Sequence, residues 1–192
     1  MRKAAFIDRD GTISEEVGYI NHPSRFRLFP FSGQAIKMLN ENGWLVIVVT
    51  NQAGVARGYF TEDLIRQVHQ RMAEELKREN AHLDAIYYCA HHPTVGYPPY
   101  RTNCDCRKPK PGLIKRAVTE LKIDLAQSWM IGDRYSDVEL ARNAGVKSAF
   151  ILSGYGRGEW EHQSAGWKHK PDLVSDNLLV AVEAIVGEQV KS

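Results

Sequence analysis

Three things are scarce in this sequence, and each scarcity excludes a class. Only three cysteines occur among 192 residues, all between Cys89 and Cys106. An odd, clustered set is no disulfide framework. No apolar run nears the roughly 20 residues that cross a bilayer, and the short apolar start, Met1 to Ile7, is broken by Asp8 and Asp10 too early for a secretory signal. Neither sign of charge dominates: 25 basic and 23 acidic residues leave +2, without the basic footprint of a nucleic-acid binder. Internal repeats, low-complexity tracts and a convincing domain linker are missing too. The expectation is a soluble cytoplasmic protein, a monomer with no nucleic-acid or membrane partner. What remains, 43% apolar and 25% charged residues, suits one globular domain over residues 1–192 with a real core.

The chain alternates short apolar strands with amphipathic helices. "KAAFID" reads as a strand, "SGQAIKMLNENG" as a helix capped by Ser32 and stopped by Gly43. "WLVIVVT" is β-branched without alternation, which suits a parallel strand covered on both faces. A helix from the capping Thr61 sets Leu64, Val68, Met72 and Leu76 four apart in one stripe. "AIYYC", "SWMIGD" and "VKSAFILS" read as further strands; "PGLIKRAVTELKI", "SDVELARNAG" and "NLLVAVEAIVG" as helices. Such a βα series predicts a Rossmann-like parallel sheet with helices on both faces. "GYGRG" is read as a flexible surface loop and "EWEHQSAGWKHK" as an irregular surface crossing, with His162 and His169 exposed.

Asp8, Thr50 and Asp133 each end a predicted strand, and an open parallel sheet binds ligands beyond that edge. In "FIDRDGT" a turn at Asp10 and Gly11 lets two carboxylates diverge around one reacting atom. Alone, that D-x-D-G equally describes a solvated turn. With Thr50, Asn51, Lys108 and the pair Asp133 and Asp137, the chain supplies a carboxylate nucleophile, a second acid, phosphate donors and carboxylates for a hard cation. Phosphoryl transfer uses all four, and Mg²⁺ suits the cation because it takes oxygen ligands and bridges phosphate.

The segment "AHHPTVGYPPYRTNCDC" has no period and is too long for a plain connection. Cys89-x-His91 and Cys104-x-Cys106 frame it with three thiols and an imidazole, a set suited to tetrahedral Zn²⁺, although iron takes similar ligands. Four protein ligands make a closed, structural site over 89–106. His92 is the alternative to His91.

Together "DRDGT", "VTNQ", "RKPKPG" and "GDRYSD" resemble the four motifs of the haloacid dehalogenase superfamily of phosphatases, in that family's order. The resemblance implies that Asp8 attacks phosphorus, that Asp10 protonates the leaving oxygen and then activates water, and that Thr50 and Lys108 hold the phosphoryl oxygens. It implies Mg²⁺ on Asp8, Asp133 and the Asp10 carbonyl, with Asp137 orienting Lys108 or the ion's waters. The zinc loop is similar to that of the histidinol-phosphatase-like branch, which lacks a large cap and holds heptose bisphosphate phosphatases as well as histidinol-phosphate phosphatases.

That branch implies a small sugar bisphosphate as substrate, its 7-phosphate being hydrolysed in nucleotide-activated heptose biosynthesis for lipopolysaccharide. Contacts would come from Glu16, Gly18 and Tyr19 in "EEVGY", from Asn51 and Gln52, from Arg107 at a second phosphate or the sugar, and from Arg134 at the distal phosphate. Histidinol phosphate is the alternative substrate. A zinc-loop binding module with a vestigial phosphatase site is the alternative of another class.

Overall fold

A computed structural model describes residues 1–190 of the chain. Its strands are β1 (Ala4–Ile7), β2 (Leu45–Asn51), β3 (Ala85–Cys89), β4 (Trp129–Gly132), β5 (Lys147–Ile151) and β6 (Leu173–Ser175). They form one parallel sheet in the order β3-β2-β1-β4-β5-β6. The helices are α1 (Ser32–Glu41), α2 (Glu62–Arg78), α3 (Gly112–Leu121), α4 (Tyr135–Ala144), α5 (Gly156–Gln163) and α6 (Leu178–Val190). The Rossmann-like parallel sheet is the expected fold. Among the described residues no helix is long and apolar enough to cross a membrane.

Successive strand residues feed opposite layers, as the pleat requires. Ala5, Ile7, Val46 and Val48 pack with residues of α1, α2 and α6 on one face, while Ala4, Phe6, Leu45, Ile47 and Val49 meet α3 and α4 on the other. This double burial explains the unalternating apolar strands. Val68, Met72 and Leu76 of the α2 stripe are buried in the first layer, and the Thr61 hydroxyl caps that helix by accepting the Leu64 N–H at 3.4 Å.

Three local readings need correction. Ser32 lies inside α1 and is not its cap; its hydroxyl donates to the Ile13 carbonyl at 2.7 Å, so a tertiary partner outcompetes the helix end. "GYGRG" does not form a loose surface loop, because α5 starts within it, at Gly156. "EWEHQSAGWKHK" is also partly ordered: Trp160 belongs to α5, and Trp167 is buried against Tyr135 (4.6 Å between rings), Phe150 (5.0 Å) and Trp160 (5.8 Å). Aromatic rings far apart in sequence make a small core there without any helical period. His162 is exposed, as expected, but His169 is half-buried; β6 was not legible as a strand.

Register places the site. Ile7 pairs with Val48 and with Ile131, so Asp8, Thr50 and Asp133 emerge side by side at the carboxyl edge of β1, β2 and β4. The sheet order reverses direction between β1 and β4, where crossovers leave opposite faces and open a crevice.

Candidate active site and metal centres

At the floor of the crevice lie Asp8, Asp133 and Asp137, all buried, with carboxylate oxygens within 4.8 Å of one another. Lys108 joins two of them, with Nζ 2.9 Å from Asp8 Oδ1 and 2.7 Å from Asp137 Oδ1. Burial alone would push the Lys108 pKa down; the charges of Asp137 and Asp8 outweigh it and hold the lysine above its usual range. Asp133, fully buried, accepts the Tyr155 N–H at 2.8 Å. Its pKa is driven well up by desolvation and by the charges of Asp8 and Asp137. Desolvation also raises Asp137, to about 6, against the pull of Lys108. Three carboxylates against one lysine leave two negative charges, which a divalent, oxygen-seeking cation would neutralise. The residues present therefore fit Mg²⁺.

Glycine makes this floor possible. Gly11 has φ +81°, and a Cβ there would stand 2.1 Å from Asp133 Oδ2; Gly154, at φ +54°, would place one 2.2 Å from the same oxygen. Ser153 Oγ donates to the Gly11 carbonyl at 2.6 Å and ties the two turns together.

Asp10 stands apart from the trio. Arg9 folds back to hold it, with Nε 3.0 Å from Oδ1 and Nη2 2.7 Å from Oδ2, and Gln52 Nε2 donates to Oδ2 at 2.8 Å. Gln52 Nε2 also reaches the Thr50 hydroxyl at 3.0 Å. Asn51 and Lys108 are joined through a reciprocal amide pair: Asn51 Oδ1 accepts the Lys108 N–H at 3.1 Å and Asn51 Nδ2 donates to the Lys108 carbonyl at 3.3 Å. The end of β2 thus fixes the backbone that presents the lysine.

Above the floor opens a cleft of about 410 Å³, lined among others by Glu16, Tyr19, Phe60, Arg107, Arg134 and Tyr155. Gly18 also lines it and donates its N–H to Glu16 Oε1 at 2.6 Å. Desolvation and then Asp10 raise the Glu16 pKa. Tyr19 packs edge-on to Tyr59, with centroids 4.7 Å apart. Arg107 donates to the His91 carbonyl at 3.3 Å. Arg134 lies 4.4 Å over the Tyr155 ring, and its Nε is 2.6 Å from Glu159 Oε1.

Beside the end of β2, Cys89, His91, Cys104 and Cys106 converge. Sulfur-to-sulfur distances are 3.2, 3.2 and 3.5 Å, and His91 Nδ1 lies 3.3 Å from Cys106 Sγ. The separations are far beyond the roughly 2 Å of a disulfide and near the edge lengths of a small tetrahedron around one ion, so the set fits Zn²⁺. Desolvation raises the Cys89 and Cys106 thiols, a cost that a bound cation would offset. His92 turns away: its Nδ1 accepts the N–H groups of Thr94 and Val95, and its Nε2 faces Arg57.

Four contributors were not singled out from the sequence. Arg9, between the two acids, is sent to the other side by strand alternation; only because β1 ends at Ile7 does it turn back. His69, whose Nε2 lies 3.1 Å from Arg9 Nη1, is masked by the α2 apolar stripe, while Tyr155 and Glu159 lie in segments that read as a surface loop and a surface crossing.

A family model described as HAD-hydrolase-like matches residues 105–181. The D-glycero-beta-D-manno-heptose-1,7-bisphosphate 7-phosphatase of Haemophilus ducreyi is 41% identical over 179 residues, 93% of this chain and 95% of that protein. The chain belongs to the D-glycero-D-manno-heptose-1,7-bisphosphate 7-phosphatase family. The Thermosynechococcus vestitus member is 36% identical over 96% of this chain and 95% of its own length. The solved D,D-heptose 1,7-bisphosphate phosphatase of B. bronchiseptica, crystallised with magnesium and phosphate, superposes with a TM-score of 0.86. It shares 29% identity, with 97% of this chain and 99% of that one covered. These relatives favour the heptose phosphatase reading over the histidinol-phosphate one.

Proposed function

We propose that this protein is a Mg²⁺-dependent phosphatase that removes the 7-phosphate of D-glycero-D-manno-heptose 1,7-bisphosphate, leaving heptose 1-phosphate for nucleotide-activated heptose and lipopolysaccharide synthesis. The observation that carries the reading is the distribution of charge in one cleft. A lysine and a carboxylate trio fitted for a divalent ion form its floor, and two further arginines, Arg107 and Arg134, line it. A substrate with a phosphate at each end meets both.

In this reading the Asp8 carboxylate attacks phosphorus and the bond from phosphorus to the C7 oxygen breaks, while Asp10 gives its proton to that oxygen. Water then attacks the aspartyl-phosphate, Asp10 takes the proton and inorganic phosphate leaves. Lys108 and Thr50, both buried at the floor of the cleft, hold the transferring oxygens. The carboxylates of Asp8 and Asp133 and the Asp10 carbonyl would hold Mg²⁺, which would neutralise the phosphoryl charge. Glu16, Gly18, Tyr19, Asn51 and Gln52 surround the sugar, and Arg107 and Arg134 take the 1-phosphate. Cys89, His91, Cys104 and Cys106 would hold Zn²⁺, which would order the 89–106 loop that carries Arg107 at its exit, within one domain.

Phosphate release with Mg²⁺ tests this on both anomers of heptose 1,7-bisphosphate and on histidinol phosphate. A kcat/KM at least tenfold higher for one heptose anomer, abolished in Asp8→Asn, is expected. Preference for histidinol phosphate would overturn the substrate, and no turnover of any would favour a binding module.

A further inference from the structure

We propose that Arg9 and His69 form a positioning relay that locks the Asp10 carboxylate in its proton-transfer orientation. This rests on the reading of Asp10 as the acid and base of the reaction.

Arg9 is 2% exposed although it carries a full charge, and such a group persists inside a protein only when its donors are matched. Its fork spends Nε and Nη2 on the two oxygens of Asp10, a bidentate geometry that a point-charge lysine cannot copy. The remaining arm, Nη1, lies 3.1 Å from His69 Nε2. Arginine has no acceptor, so His69 Nε2 must be the unprotonated nitrogen and the ring must be neutral. Burial, then the Arg9 cation, hold the imidazole pKa down near 3, in keeping with a neutral ring. His69 is itself 8% exposed, sits in the rigid middle of α2, and meets the Tyr88 ring at 5.7 Å. The guanidinium is therefore fixed from behind by a helix and from the front by its carboxylate.

The clamp also sorts the two oxygens of Asp10. Oδ2 takes donors from both Arg9 and Gln52, whereas Oδ1 takes only the Arg9 Nε–H. The lone pair left for a proton is thus on Oδ1. Freed of the fork, the carboxylate would rotate about its side-chain bonds, and proton transfer is sensitive to such displacement.

Leaving-group dependence tests the relay, because an alkoxide needs a proton as it departs and p-nitrophenolate does not. With Mg²⁺ present, kcat/KM through phosphoenzyme formation is compared for the heptose bisphosphate and p-nitrophenyl phosphate. Asp10→Asn is the reference. Arg9→Lys is expected to lower kcat/KM for the sugar substrate by about 10²-fold, with KM little changed, and for the aryl phosphate by less than about threefold. His69→Phe, which leaves Arg9 in place without its acceptor, is expected to show the same selectivity at about tenfold, and His69→Gln to restore it because an amide oxygen accepts the same bond. Since Arg9→Lys risks misfolding, the two His69 variants carry the test independently. Equal losses on both substrates, or none, while Asp10→Asn remains selective would overturn the relay alone. An unselective Asp10→Asn would overturn the proton role of Asp10 and the relay with it.

Discussion

Lys108 Nζ lies 2.7 Å from Asp137 Oδ1, and both groups are buried. This pair lets a lysine stay charged beside the Asp8 carboxylate, because the charges of Asp137 and Asp8 compensate its desolvation. Lys108→Met should therefore do two kinds of damage. It leaves Asp8 and Asp137 without their cation, at a cost of about 3–5 kcal/mol in the metal-free protein, and it removes a phosphoryl donor, lowering kcat by on the order of 10²–10³. Urea unfolding in chelator and phosphate release check the two effects separately.

His69 gives the fold an acid limit. Its imidazole titrates near 6.5 when unfolded and near 3 in the fold, lowered first by burial and then by Arg9. Between these values the unfolded chain binds more protons than the folded one, so stability rises with pH across the window and is lost as pH falls through it. The slope from this one group approaches about 1.4 kcal/mol per pH unit. His69→Gln should flatten the stability profile between pH 6 and 4, measured by urea unfolding on chelated protein (pH range roughly that of the histidine titration).

Elemental analysis should find about one zinc per chain in purified protein, lost in Cys104→Ser. The 89–106 segment has little apolar period to hold it, so the variant is expected to lose several kcal/mol of stability and to be cleaved by protease within that segment. Unchanged proteolysis and stability would mean that packing orders the loop without metal.

Gly154 presses on the cation floor from a turn that has no motif. A Cβ there would meet Asp133 Oδ2 at 2.2 Å and Gly11 Cα at 2.5 Å, on backbone at φ +54°. Gly154→Ala should raise the Mg²⁺ concentration needed for half-maximal turnover and lower kcat by at least about tenfold, as a displaced ligand predicts. Gly158, four residues on in α5, has open space at the same position, so Gly158→Ala should be neutral or slightly stabilising. Mg²⁺ titrations of the two variants make the comparison.

By itself the sequence determined the alternation of strand and helix, the parallel sheet, the acids that end β1 and β4, and the thiols and lysine that lie from the end of β3 to the start of α3. These are readable because apolar period and strand-end chemistry are local: "WLVIVVT" declares double burial, and Cys89, His91, Cys104 and Cys106 declare their spacing. The tertiary structure alone decided which groups pair once those ends meet. It turned Arg9 back on Asp10 and set His69 behind it from a helix 60 residues away. It also set Gly154 against Asp133 and drew Trp167 into a core with Tyr135 and Phe150. Such contacts depend on the register between strands and on which way a chain turns after it leaves the sheet, and no period within a single segment records either.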